Sequence, residues 1–176
     1  MHGSDLSLVE IRRACVEDVP QLCSLLAELF GQEADFTPDA ERQRRGLRLI
    51  LDNAECGRIY CASHSELVVG MVSILFTVST AEGNRAAWLE DLVVHADCRG
   101  HGIGRRLLSH ALAEAAAAGC TRVTLLTDDD NNTAMRLYSG AGFVRSKMAP
   151  FRLKLPSVKL EPVWPGQGSG RKTPGR

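Results

Sequence analysis

A glycine-dense loop between an apolar strand and an amphipathic helix constrains this sequence more than any other feature. Residues 92–107 read LVVHADCRGHGIGRRL, with glycines alternating at positions 100, 102 and 104. Alternating glycines let backbone N–H groups close around an anion, and the N-terminus of the following helix adds unpaired N–H groups and partial positive charge. Arg99 and Arg105 contribute two cationic side chains. The segment therefore predicts a phosphate-binding loop rather than a plain strand–helix turn.

The composition predicts one soluble globular domain. The chain has 176 residues, of which 44% are hydrophobic and 24% charged, and its 21 basic residues balance its 21 acidic residues. A neutral balance argues against a nucleic-acid binder, which carries an excess of basic charge. The longest apolar run, residues 67–78, is shorter than the roughly 20 residues that cross a bilayer, so no membrane partner is expected. The N-terminus lacks the pattern of a secretory signal, and we expect a cytoplasmic protein.

The cysteines favour neither a disulfide framework nor a metal site. They stand at positions 15, 23, 56, 61, 98 and 120, and no two of them form a C-x-x-C pair. Scattered cysteines of this kind are typical of a reducing compartment, where they pack as small apolar residues. We therefore expect a protein without a bound metal.

Strand-like and helix-like patterns alternate over most of the chain. Strands are predicted at residues 8–13, 57–62, 67–78, 87–94 and 121–127, with one or two more within 143–155. Helices are predicted at residues 18–30, 38–51, 103–118 and 131–139. Residues 156–176 contain four prolines and four glycines, which predicts a flexible tail. The organisation expected is one α/β domain over residues 1–155 followed by that tail.

A dinucleotide-binding fold also has a glycine loop between a strand and a helix, but its pattern is not met here. That fold requires G-x-G-x-x-G and an acidic residue about 20 positions later, a place that Asp128 could fill. Counting from Gly100, the third glycine position is Arg105, and counting from Gly102 it is Leu107. The chain also has a single strand–loop–helix–strand unit, whereas a dinucleotide site needs several.

Two motifs in order resemble the GNAT superfamily of N-acetyltransferases. Arg99-x-x-Gly102-x-Gly104, directly after the strand at 92–94, resembles the pyrophosphate signature of that family. Residues 131–143, NNTAMRLYSGAGF, resemble its second motif, and residues 10–18 resemble its first strand and the start of its first helix. The resemblance extends over residues 8–155.

The resemblance implies an α/β (α+β) fold with a single GNAT-like domain. Its mixed, mostly antiparallel central sheet would have six to seven strands, with about four flanking helices and splayed strands at the centre. Acetyl-CoA would be the acyl donor, and a homodimer is the common assembly of the family. The residues that the resemblance assigns to acetyl-CoA binding are Leu92, Val93, Val94, Arg99, Gly100, His101, Gly102, Ile103, Gly104, Arg105, Asn131 and Tyr138.

Tyr138 is the predicted acid for the departing thiolate. Asn131 and Tyr138 are seven residues apart, two helical turns, and would share one face of the predicted helix. Such a face offers an amide to the pantetheine arm at one end and a phenol to the sulfur at the other. The family resemblance assigns the acid to the same tyrosine. The alternative is a tyrosine packed in the core with its hydroxyl already bonded.

Two carboxylates, Glu90 and Asp91, interrupt an otherwise apolar strand. Strand alternation predicts that they point to opposite faces, and burying a carboxylate is costly without a partner or a task. The stretch resembles the corresponding strand of spermidine/spermine acetyltransferases, in which a glutamate at the place of Glu90 assists deprotonation of the amine. Asp91 would then be structural, paired with a loop amide or an arginine. Exchanged roles, or two structural carboxylates, remain open.

The predicted function is transfer of the acetyl group from acetyl-CoA to a primary amine of a small molecule, polyamine-like or otherwise cationic, by direct attack in a ternary complex. The resemblance implies that the first interhelical loop borders the acceptor site, where acidic residues would favour a cationic acceptor; the alternative is that they form the solvated end of a helix. They are Glu28, Glu33, Asp35 and Asp39. The alternatives are a protein, peptide or amino-acid acceptor, and a coenzyme A-binding module without turnover. A pure binding module would need neither Glu90 nor Tyr138.

Overall fold

The computed structural model describes residues 8–31, 39–153 and 155. The chain divides into two units, Met1–Phe143 and Val144–Arg176, which we treat separately. The tail predicted at residues 156–176 lies outside the described residues. The helices and strands described are β1 (Glu10–Arg13), α1 (Val19–Phe30), α2 (Ala40–Leu51), β2 (Gly57–His64), β3 (Leu67–Ser79), β4 (Asn84–Val94), α3 (Ile103–Ala117), β5 (Cys120–Leu125) and α4 (Asn132–Gly140).

One mixed sheet organises the first unit. Its five strands lie in the order β1-β2-β3-β4-β5. The first four are antiparallel neighbours, and β5 is parallel to β4, which requires the crossover made by α3. The predicted α/β class with a mostly antiparallel mixed sheet is confirmed. The predicted count of six to seven strands was wrong for the part of the chain that the structure describes, which has five.

The difference from the predicted number of strands lies in residues 143–155, where one or two strands were predicted. No strand occurs in residues 143–153 or at 155. Within this segment the Ser146 hydroxyl accepts the Met148 backbone N–H at 3.1 Å, a local bond that competes with a strand ladder. Pro150 has no N–H to donate. Both features favour a turn over a strand ladder in this segment.

The sheet separates two apolar clusters, because successive strand residues point to opposite faces. The α3-side cluster joins Leu107 and Leu108 of α3 to Val72 and Ile74 of β3. The residues of α3 that are buried recur at the helical spacing predicted from the sequence. They are Ile103, Leu107, Leu108, Ala111 and Ala115. The α1-side cluster on the opposite face contains Leu22, Leu25 and Leu26 of α1, Leu47 of α2, and Ile59, Cys61, Met71 and Val93 of the sheet.

A β-bulge interrupts the pairing of β3 with β4 at the two carboxylates. Ser73 lies opposite Asp91 and Ile74 lies opposite Leu89, which leaves Glu90 without a partner in the ladder. Leu89 and Leu92 therefore both contact the α3-side cluster although they are an odd number of residues apart. The prediction that Glu90 and Asp91 point to opposite faces was wrong, because it assumed a strict alternation that the bulge interrupts. Bulges of this kind redirect side chains and are frequent beside active sites.

The pairing of β4 with β5 ends at the bulge. The ladder between β4 and β5 runs from Arg85 opposite Cys120 to Leu89 opposite Leu125. β4 itself continues to Val94. Residues 90–94 of β4 thus have no β5 partner in the described chain, which is the predicted splay of the central strands.

Three further observations bear on the class of protein. Within the described ranges, no helix has the length and apolar character needed to span a membrane. The same ranges contain no group of three or more His, Cys, Asp or Glu residues that could hold a metal ion. All six cysteines are free thiols.

Candidate active site

The loop after β4 has a backbone geometry that glycine adopts most readily. Gly100 and Gly102 have φ angles of +81° and +76°, in the left-handed region that strains other residues. The Arg99 Nε donates to the Val94 carbonyl at 2.9 Å. The His101 Nδ1 lies 2.8 Å from the Arg99 carbonyl oxygen, to which it donates. These contacts fold the loop back beside the end of β4.

α3 begins directly after this loop with its first N–H groups open. Gly102 is its N-cap residue and offers no side-chain cap. Arg106 donates its N–H to the Gly102 carbonyl at 3.1 Å, and the N–H groups before it have no acceptor inside the helix. Arg99 and Arg105 form no ion pair with any carboxylate of the described residues. Two uncompensated guanidinium groups and an open helix terminus fit a pyrophosphate.

Asp91 is a buried carboxylate held by a serine of the neighbouring strand. Its Oδ2 accepts the Ser73 hydroxyl at 2.7 Å, and the Ser73 Oγ accepts the Asp91 backbone N–H at 3.1 Å. The pKa of Asp91 is raised to about 6: burial raises it most, the bond from Ser73 lowers it, and the charge of Glu90 raises it. The expected partner was a loop amide or an arginine, so this pairing corrects the prediction. The reason is the bulge, which places Asp91 opposite Ser73.

Glu90 has a different environment. Its side chain is exposed, and it makes no ion pair with any described residue. Trp88, two positions earlier in β4, is 40% exposed. An exposed carboxylate near an exposed aromatic ring is accessible to an amine. Sequence reasoning did not single out Ser73 or Trp88, for which the signals were a serine inside an apolar run and a tryptophan in the same strand as Glu90.

α4 carries Tyr138, whose ring packs edge-on against Phe143 with 5.9 Å between ring centroids. Both rings contact the α3-side cluster. Asn131 is the N-cap residue of α4, and its side-chain oxygen accepts the Ala134 N–H at 3.0 Å. Asn131 thus precedes the helix, and the prediction that it lies on a helical face with Tyr138 was wrong. Asparagine favours this position because its side chain satisfies an N–H that the helix leaves unpaired.

Three elements that carry predicted site residues meet at Gly104. A Cβ at this position would lie 3.7 Å from the Val94 side chain and 3.8 Å from that of Leu137. Gly104 belongs to the first turn of α3, Val94 ends β4, and Leu137 precedes Tyr138 in α4. The glycine loop, the unpaired half of β4 and the tyrosine helix therefore converge.

The acidic residues expected around the first interhelical loop have other partners where the structure describes them. Asp39 caps α2, where its side chain accepts two backbone N–H groups at 3.1 Å each. Glu28 contacts the loop after β4. Glu33 and Asp35 lie outside the described residues.

Comparisons with known proteins agree with this geometry. A family model described as "Acetyltransferase (GNAT) family" matches residues 19–143. The aminoalkylphosphonate N-acetyltransferase of Salmonella typhimurium strain LT2 is 30% identical over 141 residues, which are 80% of this chain and 88% of that protein. The thialysine N-epsilon-acetyltransferase of Bos taurus is 37% identical over 75 residues, 43% of this chain and 44% of that protein.

Solved structures have the same fold. An integron cassette protein from the mobile metagenome of Cole Harbour Salt Marsh superposes with a TM-score of 0.73 and 25% identity, over 84% of this chain and 91% of that one. The aminoglycoside acetyltransferase meta-AAC0020, from an uncultured soil metagenomic sample, gives a TM-score of 0.69 at 19% identity, over 85% and 98% of the two chains. Because the family model covers more than half of the chain, the chain belongs to the GNAT family of acetyltransferases.

Proposed function

We propose that this enzyme transfers the acetyl group of acetyl-CoA to the primary amine of a small cationic molecule such as a polyamine. Family membership accounts for N-acetyl transfer with acetyl-CoA as donor. The observation that carries the finer assignment is the pair Glu90 and Asp91, two adjacent carboxylates with no cationic partner in the described chain. An ammonium group of the acceptor would supply the missing positive charge.

The donor side is formed by the glycine loop and the unpaired half of β4. Arg99, Arg105 and the first N–H groups of α3 bind the pyrophosphate, while the side-chain NH2 of Asn131, whose oxygen caps α4, donates to the pantetheine arm. The backbone groups of residues 92–94 bind the same arm, and the N–H of Leu92 or Val93 donates to the thioester carbonyl. Bound acetyl-CoA supplies the acetyl thioester.

Proton transfers are assigned to Glu90 and Tyr138. An amine with a pKa near 10.4 is neutral in about one molecule in 2,500 at pH 7, which costs roughly 4.6 kcal/mol. Glu90 accepts this proton, directly or through a water molecule, and the neutral amine attacks the carbonyl carbon. As the C–N bond forms, the C–S bond breaks and Tyr138 donates its phenolic proton to the sulfur. The surplus proton on the new amide nitrogen then restores the Tyr138 hydroxyl, and Glu90 releases its proton to water. Positioning both reactants together contributes more, about 7–11 kcal/mol.

A zwitterionic aminoalkylphosphonate is the second candidate acceptor. The aminoalkylphosphonate N-acetyltransferase of Salmonella typhimurium, whose alignment covers 80% of this chain, is named for that substrate. The carboxylate pair favours the cationic acceptor instead, because a phosphonate close to the amine would be repelled by Glu90 and Asp91. Coenzyme A release measured with diamines and with aminoalkylphosphonates decides between them.

A pH–rate profile of Glu90→Gln and Tyr138→Phe with a diamine acceptor tests the catalytic assignment. Glu90→Gln should lower kcat by about 10- to 100-fold near pH 7, and the loss should shrink as pH approaches the pKa of the amine. Tyr138→Phe should lower kcat by about 10- to 100-fold at every pH, because alkali supplies no acid. Glu41→Gln, which alters an exposed ion pair on α2, is the matched control and should behave as wild type. Equal impairment of Glu90→Gln at all pH values would show that Glu90 is not the base.

A further inference from the structure

We propose that Glu28 is a positioning residue for the donor loop, holding its first residues against α1 so that the pyrophosphate site is formed before acetyl-CoA binds. This inference rests on the proposed function, because it takes the loop after β4 as the pyrophosphate site. It assigns Glu28 to the donor side of the reaction, whereas the sequence had suggested the acceptor side.

One carboxylate makes two contacts with the start of the loop. Glu28 lies in the last turn of α1, and its Oε1 is 3.3 Å from the Nε2 of His95. Its Oε2 accepts the backbone N–H of Ala96 at 3.4 Å. His95 and Ala96 are the two residues that directly follow β4. Glu28 therefore fixes the chain where it leaves the sheet and enters the loop.

Both ring nitrogens of His95 make contacts, Nε2 with Glu28 and Nδ1 with the Asp97 backbone. The His95 Nδ1 accepts the Asp97 backbone N–H at 3.3 Å, which leaves Nε2 as the ring nitrogen beside Glu28. The backbone N–H of His95 donates to the Val69 carbonyl at 2.9 Å. His95 is thus held between the sheet, the loop and α1 by its backbone N–H and its two ring nitrogens.

Two attachments hold this loop, one at its first residues and one at Arg99. The turn Ala96–Cys98 begins at the Glu28 contacts. It is followed by Arg99, whose Nε bonds to the Val94 carbonyl at 2.9 Å. Without Glu28 the first attachment is reduced to the bond from His95 to Val69 and to local bonds, and ordering residues 96–98 becomes part of the cost of binding.

Charge and positioning make opposite predictions for the loss of Glu28. A carboxylate near an anionic ligand weakens binding through Coulomb repulsion, so its removal would tighten binding if charge dominated. If Glu28 instead holds the loop in place, its removal weakens binding. The sign of the change in affinity therefore distinguishes the two effects.

The test is calorimetric titration of coenzyme A into the full chain carrying Glu28→Ala or Glu28→Gln, with Glu41→Gln as control for the lost negative charge. Glu28→Ala should raise the Kd for coenzyme A about two- to fivefold, a range set by the exposure of both partners. Glu28→Gln keeps one acceptor oxygen and should raise the Kd by less than Glu28→Ala does. The KM for the amine and the melting temperature without ligand should stay at wild-type values, which a general loss of structure would not allow.

Two further variants distinguish a failure of the proposed donor site from a failure of the positioning role of Glu28. The effects of His95→Ala and Glu28→Ala on the Kd should be less than additive, because both substitutions break the contact between Glu28 and His95. Unchanged or tighter binding by Glu28→Ala, or full additivity with His95→Ala, overturns the positioning role. Arg99→Ala tests the pyrophosphate site itself and should raise the Kd by about 10-fold or more. If Arg99→Ala leaves the Kd unchanged, the proposed donor site is wrong; if only the Glu28 variants do so, the donor site stands and Glu28 does not position it.

Discussion

Asp91→Asn should stabilise the folded protein at pH 7 and change its stability little near pH 4. Burial raises the pKa of Asp91 from its ordinary value of 3.8 to about 6 in the folded protein. Between these two pH values the folded state retains a proton that the unfolded state has released. The free energy of unfolding therefore falls as pH rises from about 4 to about 6, and the cost persists at pH 7.

The size of the effect follows from the two pKa values. At 1.36 kcal/mol for each tenfold change, a pKa of about 6 against 3.8 corresponds to about 3 kcal/mol at pH 7. An asparagine has no charge to desolvate, and its carbonyl oxygen can still accept the Ser73 hydroxyl that Asp91 accepts at 2.7 Å. We therefore expect the variant to gain up to about 3 kcal/mol at pH 7.

Urea unfolding at pH values from 4 to 8 measures this gain directly. Glu66→Gln, which neutralises an exposed carboxylate in the turn between β2 and β3, is the control and should show no such pH dependence. A gain of equal size at pH 4 and pH 7 would mean that packing, not ionisation, is responsible. A loss at pH 7 would mean that the charged form is stabilised, and the reasoning would be refuted. On the proposed function, the same variant should raise the KM of a cationic acceptor, since it removes a negative charge from the acceptor side.

Two other substitutions have defined outcomes. Asp18 is buried and accepts two guanidinium N–H groups of Arg12 at 2.7 Å, which hold the pKa of Asp18 well below its ordinary value. The stability that this ion pair gives is present above the ordinary pKa of an aspartate and is lost as pH falls below that value. Asp18→Asn should therefore lower the free energy of unfolding in urea by about 2–3 kcal/mol at pH 7, and by less in acid. Gly102→Ala places a side chain at a φ of +76°, so it should lower the free energy of unfolding by about 1–2 kcal/mol and raise the KM for acetyl-CoA. The control is Gly46→Ala, which lies inside α2 with open space around it and should be neutral or stabilising by up to about 1 kcal/mol.

Features with a local cause could be predicted from the sequence. α3 begins and ends within one residue of its predicted bounds, because apolar residues recur along it at helical spacing. The positive φ angles of Gly100 and Gly102 likewise fit the alternating glycines of the loop. Both signals lie within a few residues of the structure that they predict.

Features that depend on distant parts of the chain could not be predicted. The bulge beside Glu90 arises from the register between two strands, and neither strand shows it alone. The bond between Ser73 and Asp91 depends on the same register. The contact of Glu28 with Ala96 spans 68 positions, and no spacing rule connects them. At such places tertiary pairing, not local preference, decides where a polar side chain points.

The two apolar clusters have an evolutionary consequence. The cluster around Leu107 and the cluster around Leu22 are on opposite faces of the sheet, and different side chains fill them. Energetic effects of substitutions at sites well separated in space are close to additive, so drift in one cluster is tolerated largely without compensation in the other. A lineage with this architecture can therefore substitute core residues of α1 and α2 without compensating changes in the cluster that packs against α3. Glu28 is an exception, because it lies on α1 and contacts the loop that leads to α3.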